Sequence, residues 1–131
     1  MSYSVTYDAE AGFIAIVIKG MIDLSMSRQV ASEAARLMQE HDCCLVLNDA
    51  REATTTLSIT EIYDLPKIFS EVLSESGVQV QRLKRALVVP EAMNDFVFFE
   101  TISRYRSQNV MLFRDVVDAK KWLCGKEGRL T

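Results

Sequence analysis

The chain has 131 residues, of which 49% are hydrophobic and 25% charged, and its formal net charge is −3. This length is typical of one domain, and the acidic balance argues against a general nucleic-acid-binding domain, which is usually strongly basic. No apolar run approaches the roughly 20 residues that span a bilayer. The first ten residues lack the features of a signal peptide, and three cysteines without framework spacing favour a reducing compartment. We therefore expect a cytoplasmic protein without a membrane span.

The N-terminal part is predicted to form a β-hairpin followed by a helix. Residues 4–7 and 13–19 have the pattern of two strands, and an acidic turn with Gly12 separates them. Gly20 is expected to end the second strand. Either Ser25 or Ser27 then caps a helix that reaches about residue 40, with apolar residues at helical spacing.

The central stretch carries the predicted interaction site. Residues 43–47 form a continuous apolar run, which is typical of a strand covered on both faces of a parallel sheet. We expect this strand to lead into a polar loop, and Ser58 with Glu61 then gives the Ser-x-x-Glu signature of a helix start. Binding sites in open α/β sheets gather at the carboxyl ends of strands. The predicted interaction or switch loop comprises Asp49, Arg51, Glu52, Thr54, Thr55, Thr56 and Ser58.

The remaining segments alternate between helix and strand. We predict a helix over 58–74 that is interrupted before Pro66 and restarts at Asp64, because proline disrupts a helix interior. A strand over 85–89, a helix over 91–107, a strand over 110–113 and a helix capped by Asp115 follow. The order β-β-α-β-α-β-α-β-α predicts a single α/β domain over residues 1–124 with a mixed, mostly parallel five-stranded sheet, and a polar tail over 125–131.

The third predicted helix carries two apolar stripes, although one sheet-facing surface needs only one. The second stripe is formed by Phe98, Ile102 and Tyr105. Three interpretations remain open: a core packed from two sides, a pocket for an apolar ligand, or a partner surface that includes the case of a homodimer. Arg104 and Arg106 lie nearby in sequence and would suit an anionic head group.

The charges are unevenly distributed along the chain. Residues 1–65 carry a net charge of −6 and residues 66–131 a net charge of +3. Basic clusters occur at Arg82, Lys84 and Arg85 and again at Arg104 and Arg106. We interpret these clusters as solvated surface, with contact to an anion or an acidic partner as the alternative.

Three segments give the chain a family resemblance: the VIKGMID turn, the ALVVP strand and the segment FFETISRYRSQNVMLFRDVVDAKKWL. In this order they resemble the STAS domain of anti-sigma-factor antagonists, and more closely its SpoIIAA-like branch, which is often grouped with the CRAL-TRIO lipid-transfer fold. The resemblance implies a bacterial, non-enzymatic regulatory module that binds a kinase-type anti-sigma factor and is switched by phosphorylation. Ser58 stands near the switch position, whereas the Asp and the Gly of the family's Asp-Ser-Ser-Gly motif are absent here.

Catalytic and metal-binding patterns are weak. Asp49 after a strand is reminiscent of a receiver-domain phospho-acceptor, but the acidic partners and the lysine of such sites are missing. Cys43 and Cys44 are adjacent and would point to opposite faces of a strand, so they are poorly placed to share an ion with His41 or Cys124. No Gly-x-Ser-x-Gly elbow occurs. We expect no metal, no cofactor and no enzymatic activity.

These observations lead to two functional hypotheses. The first is a non-catalytic regulatory or protein-interaction module that uses the loop after the third strand. The alternative is a small carrier or sensor that binds an apolar or amphipathic anionic ligand, lipid-like in character, beside the third helix.

Overall fold

A five-stranded sheet and four helices make up the computed structural model, which describes residues 2–125. The elements in chain order are β1 (Ser2–Asp8), β2 (Phe13–Ile22), α1 (Leu24–His41), β3 (Leu45–Thr55), α2 (Ile59–Glu75), β4 (Lys84–Val88), α3 (Phe96–Tyr105), β5 (Asn109–Phe113) and α4 (Val116–Leu123). Single 3₁₀ turns cover Val80–Arg82 and Glu91–Met93. The predicted α/β class and element order are confirmed, and residues 126–131 of the predicted tail lie outside the described residues.

The strands follow one another across the sheet in sequence order, β1-β2-β3-β4-β5. β1 pairs with β2 in antiparallel orientation, and every later pair is parallel. Because each parallel connection steps in the same direction, right-handed crossovers bring α1, α2 and α3 to one face of the sheet. The last helix, α4, follows β5 and packs on the other face against β3, β4 and β5.

This arrangement produces two hydrophobic cores of unequal size. The larger core lies under α1, α2 and α3, and its fully buried members include Ile14, Val46, Ile62 and Leu73. The smaller one lies under α4 and is formed by Phe13, Leu47, Ala86, Val88, Ala119 and Leu123. Alternate residues of β4 therefore face different cores, as expected for a strand that is covered on both sides.

The second and third strands are longer than the sequence pattern indicated. β2 continues through Gly20, which has φ 91°, to Ile22, and β3 continues from the apolar run through the polar residues to Thr55. A register shift between Val17 and Lys19 marks an irregularity in their pairing. Beyond Asp49, β3 pairs with β2 alone. This half of the strand therefore tolerates polar residues, and its sequence resembles that of a loop.

Two predicted helix features are corrected by the structure. α1 is capped by Asp23, whose carboxylate accepts a 2.8 Å hydrogen bond from the Met26 N–H, and not by Ser25 or Ser27. α2 runs without interruption from residue 59 to 75 with the buried Pro66 inside it. The helix survives because its apolar face is packed on the sheet, and tertiary packing outweighs the local cost of one missing hydrogen bond.

The third helix is shorter than predicted. The 3₁₀ turn takes up residues 91–93, so α3 begins only at Phe96 and ends at Tyr105. Pro90 precedes the 3₁₀ turn, and Arg114 donates from Nη1 to the carbonyl oxygens of Val89 and Pro90. This contact fixes the end of β4 to the end of β5. Among the described residues, no helix is long and apolar enough to cross a membrane.

Candidate functional site

The predicted switch residue Ser58 lies at the N-terminus of α2 and completes a capping box. The Ser58 hydroxyl accepts from the Glu61 N–H at 3.1 Å, and the Glu61 carboxylate accepts from the Ser58 N–H at 2.9 Å. Just before it, the Thr55 hydroxyl donates to the Ile22 carbonyl at 3.0 Å and accepts from the Leu57 N–H at 3.1 Å. Ser58 is exposed despite this fixed geometry. Ser58 is therefore held rigidly and is still accessible to a partner.

The predicted loop residues from Asp49 to Thr55 belong to β3 and do not form a loop. Asp49 and Arg51 pair on the strand through two hydrogen bonds of 2.9 and 2.8 Å, and this pair lowers the pKa of the Asp49 carboxyl. Lys120 of α4 acts electrostatically on Asp49, and Asp115, the N-cap of α4, acts on Arg51. Asp49 and Arg51 therefore face the α4 side of the sheet. Glu52 forms an exposed ion pair of 3.9 Å with Lys19, and Thr54 is also exposed. Of the predicted loop residues, only Thr56 and Ser58 lie in the turn between β3 and α2.

The second stripe of α3 faces outward, in contrast to the first. Phe96 is buried, whereas Phe98 is 38% and Tyr105 86% exposed, and Ile102 is half-buried. The interpretation of this stripe as core packed from two sides is wrong. Arg104 is bound by a 2.9 Å hydrogen bond from Nε to the Val110 carbonyl, which fixes α3 to β5, and Arg106 is exposed.

The structure brings the two predicted surfaces together. Tyr63, one turn after Ile59 on α2, contacts Phe98 edge-to-face with ring centroids 5.8 Å apart. Ile59 is 44% and Tyr63 39% exposed, so these side chains form an exposed apolar surface next to the Ser58 cap. We call Ile59, Tyr63 and Phe98 the α2–α3 apolar patch. Tyr105 lies at the far end of α3 and does not belong to it.

A cavity of about 90 Å³ lies on the opposite, inner side of α2 and α3. Its lining comes from the sheet and from all three helices that cover this face, and apolar side chains dominate it. The inner stripe of α3 contributes Phe96 and Phe99, whereas Phe98, Ile102 and Tyr105 are not part of the lining. The ligand pocket that the sequence placed beside Phe98 and Tyr105 is thus on the other side of the helix.

Arg85 is the one ionisable side chain among the lining residues, and the sequence interpretation missed it. It is only 5% exposed, so its assignment to the solvated surface is wrong. The guanidinium donates from Nη2 to Oε1 of Gln108 at 2.6 Å and lies 4.1 Å from the centre of the Phe69 ring. Burial lowers the pKa of Arg85 to about 9. The strand KRALVV carries no local signal that residue 85 is buried, because its burial depends on the helices that cover the strand.

The cysteine, histidine and carboxylate side chains of the described residues do not form a metal-binding cluster. No group of three or more His, Cys, Asp and Glu side chains there is placed to hold a metal ion. His41 instead stacks on Tyr7 with ring centroids 3.9 Å apart.

The comparisons with known proteins identify the fold. No family model and no curated protein matches the chain. Among solved structures, the chain is similar to an uncharacterized protein of the DUF3478 family with a SpoIIAA-like fold from Shewanella loihica PV-4. The TM-score is 0.60 at 15% identity, and the match covers 94% of this chain and 93% of the other.

At this identity the likeness shows the fold alone. The class of the protein is therefore a single α/β domain with a SpoIIAA-like fold, as the sequence resemblance implied.

Proposed function

We propose that this domain is a non-catalytic protein-interaction module whose contact surface is the α2–α3 apolar patch and the adjoining Ser58 turn. The observation that carries the proposal is the Tyr63–Phe98 pair, in which two packed aromatic rings remain about two-fifths exposed. Aromatic residues are enriched in protein interfaces, and contiguous exposed apolar side chains mark interaction sites.

The charges beside the patch define the chemistry of the partner. Asp64 follows Tyr63 on α2, Asp95 precedes α3, and both carboxylates are exposed. Lys67, one turn after Tyr63, is exposed as well, so the margin of the patch carries both signs of charge. An apolar surface with a mixed charged margin would complement this arrangement, because opposite charges at a rim favour association and orientation. A second copy of the chain with such a surface is one form of this partner.

Ser58 offers a means of control over the patch. A phosphoryl group there would lie at the positive end of α2 and next to Ile59. It would also place a dianion beside an apolar contact surface and would repel the Glu61 carboxylate, which accepts from the Ser58 N–H. We therefore expect modification of Ser58 to weaken binding of the partner while the helix remains folded.

Photo-cross-linking in the producing cell tests the proposal. A photo-reactive residue at position 63 should give discrete cross-linked products, and Phe98→Ser should abolish them. The same residue at position 117, where Val117 is 60% exposed on α4, is the matched control for an exposed apolar site elsewhere. Identical products at positions 63 and 117, or none at position 63, would contradict the assigned surface. Sedimentation velocity distinguishes a second copy of the chain from another partner.

A further inference from the structure

The cavity beneath α2 and α3 has the composition of a ligand site. Ile18 and Ile22 of β2, Leu87 of β4 and Phe96 of α3 supply apolar walls, and Met26 and Met93 add flexible ones. Methionine side chains adapt readily to the shape of a bound group. Small-molecule sites typically combine such apolar walls with very few polar groups, which fix the ligand's orientation.

Arg85 is the polar group that has no complete set of partners within the protein. Of the described ion pairs none involves it, and its Nε–H is buried without a hydrogen-bond acceptor. Its contacts are one hydrogen bond to Gln108 and the faces of the Phe69 and Phe99 rings. Buried charges in proteins are normally paired, because an uncompensated charge in an apolar interior is costly.

Gln108 holds this guanidinium in a defined position. Its Oε1 accepts from Arg85, and its Nε2 donates to the Pro66 carbonyl of α2 at 3.1 Å. The side chain is 3% exposed, so the bridge from β4 to α2 is shielded from solvent. The rest of the lining is apolar apart from Ser27 and Asn48. A preorganised cation with unused donors in such a wall is suited to receive an anion.

We propose that the cavity binds a short-chain aliphatic carboxylic acid, with the carboxylate on the Arg85 guanidinium and the hydrocarbon chain among the apolar walls. This site lies on the inner side of α2 and α3 and is independent of the α2–α3 apolar patch. The planar guanidinium matches a planar carboxylate through paired N–H donors. A monoanion neutralises the single charge of Arg85, whereas a phosphate dianion would leave excess charge in a wall that holds no second cation.

The volume sets the size of the acid. The cavity measures about 90 Å³, which is below the roughly 150 Å³ of an engineered protein cavity that holds benzene. Benzene has six non-hydrogen atoms, as butanoate does, so an acid of about two to four carbons is the size that movements of Met26 and Met93 can admit. A lipid-length chain exceeds this volume several-fold, so we expect a short acid and not the lipid-like ligand that the sequence suggested.

An NMR titration of the ¹⁵N-labelled protein tests the proposal directly. Butanoate and its uncharged isostere butanamide are added separately at millimolar concentrations, since a ligand of so few atoms binds weakly. We expect butanoate to shift the amide signals of Leu87 and Val110, which line the cavity, and to leave that of Val117 on α4 unchanged. Butanoate should bind at least about tenfold more tightly than butanamide because only the acid pairs with Arg85. Equal binding of the two, or no shifts with butanoate, would overturn the proposal.

Substitutions in β4 test whether Arg85 supplies the charge that binds the acid. Arg85→Met should abolish the preference for the acid, and Arg85→Lys should retain part of it because the charge remains without the planar fork. Lys84→Met is the matched control: it removes one positive charge at the neighbouring position, where Lys84 faces Trp122 on the α4 side. Lys84→Met should bind butanoate like the unaltered protein. Unchanged selectivity in Arg85→Met would overturn the role of Arg85. Decanoate binding more tightly than butanoate would overturn the size limit.

Discussion

Nη2 of Arg85 lies 2.6 Å from Oε1 of Gln108, and both side chains are buried in the larger core. Gln108 precedes β5 and also donates to the Pro66 carbonyl, so one amide joins β4 to α2. The pair places a positive charge where the neighbouring side chains are apolar. Its energetic consequences can be measured without knowledge of any ligand.

Replacement of Arg85 by methionine should stabilise the protein in the absence of ligand. The substitution removes a buried cation that no carboxylate neutralises and keeps most of the side-chain volume. We expect the free energy of unfolding in urea at pH 7 to rise by about 1 to 3 kcal/mol. Lys84→Met, which alters an exposed-side contact to Trp122, should not raise it. A loss of stability in Arg85→Met would mean that the Gln108 and Phe69 contacts make Arg85 a structural residue.

The difference in stability between Arg85→Met and the unaltered protein should shrink at high pH. The folded-state pKa of Arg85 is about 9, well below that of a guanidinium in water. Above pH 9 the unfolded chain therefore binds more protons at this residue than the folded chain does, and the stability of the unaltered protein gains relative to the variant as pH rises. Urea unfolding of both proteins at pH 7.5, 9 and 10.5 measures this difference in stability. Groups that titrate in the same way in both proteins do not contribute to it. A constant difference would contradict the lowered pKa.

Ser58→Ala should destabilise α2 by about 1 kcal/mol because it removes one half of the capping box. Ser58→Asp should stay close to the unaltered protein, since aspartate is also a good N-cap and its charge favours a helix N-terminus. Thermal and urea unfolding measure both. If the two variants lost equal stability, the hydroxyl would be doing something other than capping.

Asp49→Asn should lower stability at neutral pH by less than about 1 kcal/mol, because Arg51 is exposed and solvent screens the pair. The paired Asp49 carboxyl has a lowered pKa, so its contribution is present above the ordinary pKa and is lost as pH falls through the folded-state value. The two proteins should therefore converge in stability at acidic pH. Urea unfolding between pH 7 and pH 3 measures this, and a gap that does not shrink over this range would argue against the ion pair as its cause.

The sequence predicted some parts of the site well and others poorly. The capping box at Ser58 and Glu61 is local, because it depends on residues three apart, and the structure confirms it. The polar half of β3 was interpreted as a loop because its pairing partner, the end of β2, is more than 30 residues away in sequence. Pro66 was expected to interrupt α2 for the same reason: the packing that sustains the helix is not visible in the local pattern.

The sequence by itself determined the element order, and with it the mostly parallel sheet, because hydrophobic periodicity and alternating strands and helices are local properties. It also showed that the third helix carries two apolar stripes. Only the tertiary structure decided that one stripe lines a cavity and that the other meets Tyr63 at the surface. It alone placed Arg85 in the core, because burial depends on which helices cover a strand, and that is set by the direction of the crossovers and not by the residues of the strand.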